Sequence, residues 1–141
     1  MRKKLTKIFT LVLPLVALGL CAIPGSYRLE VAGATESLPA QWLITSFYDI
    51  ATWQNRDVGP LLCVGLTAMT FALSVVSFWW QNERFVRLTL YSSLAALTAP
   101  MLILFLGDLT LWGWLIIAVL AANVFFRLQL AMELEDKNRK K

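Results

Sequence analysis

The sequence predicts an all-α fold: an integral membrane four-helix bundle with an extracytoplasmic amphipathic helix between the first and second spans. Three observations predict it. Of 141 residues, 58% are hydrophobic and 16% charged, whereas soluble domains hold about 45–50% apolar and about 25% charged residues. The apolar excess falls into four runs near spanning length, separated by short charged stretches. The basic residues are distributed unevenly between the two sides those runs would define.

The first run, Ile8 to Ile23, follows Met1-Arg-Lys-Lys-Leu-Thr-Lys7. Alone it is short, and with Thr6 added and Lys7 snorkelling it gives a first span at about residues 6–23. The same run could be a signal-peptide core. Cleavage signals are poor, because Leu20 is bulky where a small residue belongs and Ala32-Gly33-Ala34 lies far from the apolar core. A retained helix is therefore expected. The lipoprotein pattern fails at Leu20, directly before Cys21.

Residues 24–58 form the expected external segment. Tyr27-Arg28-Leu29-Glu30-Val31 alternates apolar and charged residues as a half-buried strand does. With no second strand candidate in view, an extended surface segment is expected, the alternative being an edge that pairs with another subunit. At residues 39–54 a 100° plot gathers Leu43, Ile44, Phe47, Ile50 and Ala51 on one face, with Trp42 and Trp53 at its flanks. Ser37 and Pro39 suit a helix start, and Asn55, Gly59 and Pro60 suit its end. Such a helix is too short to span and carries Asp49, so it should lie along the outer surface as a lid. A sharper reading makes Trp42, Leu43, Phe47, Ile50 and Trp53 an external interaction face.

Spans two, three and four are expected at about 60–80, 86–106 and 109–128, with a tail over 129–141. Their apolar runs give roughly 27–32 Å of helix at 1.5 Å per residue, against ~30 Å of hydrocarbon. Close helix packing in lipid favours small residues. The candidates are Gly65, Ala68 and Ala72 in the second span, Ser92, Ala96 and Ala99 in the third, and Ala118, Ala122 and Asn123 in the fourth. Asn123 can hydrogen-bond across to another helix, and Arg127, four residues on, can reach phosphate headgroups. Pro14 and Pro100 interrupt the first and third spans, where a kink is the default. Asp108, in a tight turn, is placed to cap the fourth helix.

Of 13 Lys and Arg residues, four precede the first span, two lie in 24–58, two lie between spans two and three, and five lie from Arg127 onward. Eleven thus share one side, which predicts cytoplasmic termini and an external 24–58 in a plasma membrane, bacterial in type. Trp79, Trp80, Tyr91, Trp112 and Trp114 fall where the interfaces would be. The net charge of +4 reads as a membrane anchor, and no nucleic acid is expected as a partner.

The chemistry inventory excludes more than it includes. There is no histidine to serve as imidazole base or metal ligand. No carboxylate lies in the first span, where a small multidrug exporter needs one. Cys21 and Cys63 make no Cys-x-x-Cys and read as packing residues, and residues 24–58 lack the paired cysteines of claudin-like tetraspans. No catalytic residue, cofactor or metal is expected. The reading is a non-enzymatic accessory or interaction subunit, partnered by the bilayer and by itself or a larger membrane protein. A small oligomeric transporter or channel, its substrate unknown, is the alternative.

Overall fold

The structure, a computed structural model, describes residues 2–25, 27–31, 41–47, 58–80, 82–103 and 108–139. Four helices make its framework: α1 (Arg2–Cys21), α2 (Val58–Trp79), α3 (Glu83–Ile103) and α4 (Leu111–Arg139). They pack in a ring, α1 against α2, α2 against α3, α3 against α4 and α4 against α1. At 1.5 Å per residue, the 29 residues of α4 reach about 44 Å.

Local chemistry sets the helix ends. Asn82 caps α3, its side-chain oxygen accepting from Arg84 N at 3.4 Å while its carbonyl accepts from Val86 N at 3.1 Å. Glu83 in the first turn then pairs with Arg87 at 2.6 Å on the exposed surface. The last turn of α1 tightens, with Ala22 N donating to Gly19 O and Ile23 N to Leu20 O, each at 3.1 Å. Gly25, at φ 93°, then turns the chain in a conformation that favours glycine.

Three strands complete the described residues: β1 (Tyr27–Val31), β2 (Gln41–Thr45) and β3 (Asp108–Leu109). They form one antiparallel sheet in the order β2-β1-β3, with Leu29 opposite Leu43 and Arg28 opposite both Ile44 and Asp108. This corrects three expectations. Residues 41–45 are a strand where a helix over 39–54 was expected, since Trp42, Ile44 and Thr45 are strand formers and β1 supplies their backbone partners. A five-residue run cannot by itself separate a period of 2 from one of 3.6. The segment Tyr27–Val31 is the sheet's central strand, not a lone extended piece. Asp108 lies in β3, and Thr110 directly precedes α4.

The sheet sits where α1 ends and α4 begins. Thr110 Oγ1 donates to Gly25 O at 2.6 Å, tying the two junctions together. This end of the bundle is called the sheet end below, and the opposite one the tail end. Helix α1 runs through Pro14, and α3 through Pro100.

Two helices are long and apolar enough to cross a membrane, over Gly59–Trp79 and Leu111–Lys137. Only 22% and 28% of their most apolar windows is buried within the chain, unlike the mostly buried core helix of a soluble protein. The apolar part of α1, Leu5–Cys21, is shorter.

Candidate functional site

The bundle interior has two chemically distinct halves. Toward the sheet end, Ala17, Cys21, Phe47, Cys63, Ala96, Ala99, Ile116 and Leu120 form an apolar cluster, each almost fully buried. Phe47, expected on an external face, is instead sealed inside this cluster just beyond β2. Trp42 and Leu43 belong to β2, while Ile50 and Trp53 lie outside the described residues. Cys21 and Cys63 are free thiols, both buried in this cluster.

Toward the tail end most of the buried side chains are polar, Val86 being an apolar one. They include Thr70, Ser74 and Ser77 of α2, Thr89, Ser92 and Ser93 of α3, and Asn123 and Arg127 of α4, with Thr6 and Thr10 from α1. Hydroxyls can occupy this interior because most return a hydrogen bond to their own helix, one turn back. Thr67 Oγ1 donates to Cys63 O at 2.6 Å, Thr70 Oγ1 to Leu66 O at 2.8 Å and Ser93 Oγ to Thr89 O at 2.7 Å. Ser74 donates to Thr70 O and Thr89 to Phe85 O. The same hydroxyls join the helices, Thr70 Oγ1 meeting Ser92 Oγ at 2.8 Å and Asn123 Nδ2 donating to Ser93 Oγ at 3.3 Å.

Arg127 closes this polar seam. The sequence placed it outward toward headgroups, but it turns inward and is 2% exposed. Its Nη2 donates to Thr10 O at 2.8 Å on α1 and to the Ser74 hydroxyl on α2. The local cause is Pro14. A proline has no N–H, so the carbonyl four residues earlier, that of Thr10, loses its helical donor. The guanidinium supplies the missing donor. Arg127 thereby joins three helices, and Phe126 beside it stacks on Phe9 of α1 at 5.1 Å and 13°.

Below Arg127 a cavity of about 220 Å³ opens between the helices at the tail end. Lys7, Ser77, Arg127, Glu133 and Lys137 contribute its polar wall, and Phe78, Leu130 and Leu134 its apolar wall.

The small residues singled out for packing divide between inside and outside. Ser92, Ala96, Ala99 and Asn123 are buried, and Ala122 is half-buried. Gly65, Ala68, Ala72 and Ala118 face outward, and a Cβ placed on Gly65 would meet nothing within 4 Å. The inner face of α2 is the stripe Cys63, Thr67, Thr70, Ser74 and Ser77. Its spacing of three and four residues is that of one helix face, and hydroxyl side chains pack there as glycine and alanine do.

Among the described residues, no three His, Cys, Asp or Glu side chains gather where a metal ion could be held. No protein-family model matches this chain, and comparison with curated proteins and with solved structures likewise finds no match.

Proposed function

We propose that this chain is a multi-pass membrane protein, crossing the bilayer four times with both termini cytoplasmic, and that it serves as a non-enzymatic accessory or interaction subunit. Support for the membrane setting comes from an inverted distribution of side chains. Ile8, Leu15, Leu61, Met69, Phe125 and Leu128 are exposed, while threonines, serines, an asparagine and an arginine are buried. Water would penalise such a surface, and lipid solvates it. The orientation rests on the Lys and Arg excess at the tail end.

The observation that carries the interaction role is the apolar closure of the sheet end. The polar seam stops at Cys21, Phe47, Cys63, Ile116 and Leu120, so among the described residues no continuous polar path runs along the axis of one chain. What it offers a partner is backbone. Strand β3 pairs with only Tyr27 and Arg28 of β1. Among the described residues, Leu29–Val31 and the outer side of β2 therefore keep sheet edges on which another chain can add a strand.

Purification of the full chain from its native membrane in a mild detergent should bring a stable companion protein with it. A homo-oligomer that carries solute flux alone in proteoliposomes would overturn the accessory role in favour of transport, the reading that the buried Arg127 and its cavity favour. Reporter enzymes fused at residue 54 and at the carboxyl terminus should report opposite compartments, and agreement between them would refute the topology.

A further inference from the structure

We infer that the tail-end cavity is a binding site for a phosphoryl group, with Arg127 at its inner wall and Lys7 and Lys137 at its mouth. The first ground is uncompensated charge. Arg127 is almost completely buried, and among the described residues no carboxylate lies within ion-pair distance of it. A buried cation without a counter-charge is costly, and a bound anion relieves that cost.

The second ground is spare donor capacity. Nη2 serves Thr10 O and Ser74, but Nε is buried without a partner. Ser77 is buried at the same wall, and among the described residues its hydroxyl makes no hydrogen bond. Lys7 and Lys137 line the cavity with no ion-pair partner among the described residues, so three cations face one carboxylate, Glu133. An arginine in the wall, a hydroxyl and two ammonium groups around one space suit an anion with several acceptor oxygens.

Size and wall chemistry narrow the class. A volume of about 220 Å³ equals roughly seven waters at ~30 Å³ each. That holds a phosphoryl group with a short ester arm, and Leu130, Leu134 and Phe78 give the arm an apolar wall. Two sources present this group at such a place: the headgroup of an anionic phospholipid and a soluble phosphate ester. The site's donors do not depend on whether the chain has a protein partner.

The test uses the full chain in phosphate-free zwitterionic detergent, followed by thermal unfolding. Probes are glycerol 3-phosphate and short-chain phosphatidic acid, with sodium chloride at matched ionic strength as control. A rise in melting temperature with both probes assigns the site to any phosphoryl group, and a rise with phosphatidic acid alone assigns it to lipid. An equal rise with chloride, or none, overturns the proposal. Because Arg127→Gln can fail to fold, the deciding variants are at the mouth. The double variant Lys7→Gln, Lys137→Gln should keep the probe-free melting temperature and bind roughly tenfold more weakly. Glu133→Gln should bind more tightly. Unchanged affinity in both would also overturn it.

Discussion

The two ends of one bundle are held together by opposite means. At the sheet end, Ile116, Leu120, Ala96 and Ala99 fill the interior with hydrocarbon, and the cohesion is shape. At the tail end, Ser74, Ser92, Ser93, Asn123 and Arg127 occupy the same axial space, and the cohesion is a set of directed hydrogen bonds between helices. The lesson is that an exposed apolar face, present on helices in both halves, does not dictate the interior. Interior chemistry is chosen helix turn by helix turn, and the polar half opens to a cavity.

That contrast breaks most severely when polarity is moved into the hydrocarbon half. Leu120→Asp puts an unpaired carboxyl at a fully buried position and should cost about 5 kcal/mol, enough to abolish the cooperative unfolding transition in detergent. A variant that still unfolds near the wild-type midpoint would refute the dry character of this end.

Next in size is the arginine. Arg127→Met should lose about 1–3 kcal/mol, because it leaves the Thr10 carbonyl without a donor. Pro14→Ala restores an N–H within α1, so the same substitution in a Pro14→Ala background should cost about 1 kcal/mol less. Strict additivity of the two changes would show that proline and arginine are unrelated.

Asn123→Leu removes the bond to Ser93 together with a buried, unpartnered Oδ1, and Ser93 keeps its bond to Thr89 O. A loss of only about 0.6 kcal/mol is expected from thermal unfolding. A loss several times larger would mean that Asn123 supports more than its own pair. Smallest is a labelling effect: Cys21 and Cys63, both fully buried, should resist a water-soluble maleimide in the folded protein and react after denaturation in SDS.

The helical framework was legible in the sequence because it rests on long apolar runs. Helix starts moved by a few residues, as for α3, which begins at Glu83 against an expected 86, since ends depend on single capping contacts such as that of Asn82. The sheet was not legible. Strand β3 has two residues, too few for any period, and without it and β2 the alternation of Tyr27–Val31 had no partner to pair with. Arg127 stood out by its position, but the direction of its side chain followed from Pro14, 113 residues earlier in the chain. That coupling is a matter of three-dimensional proximity, which a one-dimensional pattern does not carry.

The bond from Arg127 to Thr10 joins groups 117 residues apart. The gap that Pro14 leaves in the ladder of α1 is therefore closed only after α4 has been synthesised, so local helix formation alone never completes α1.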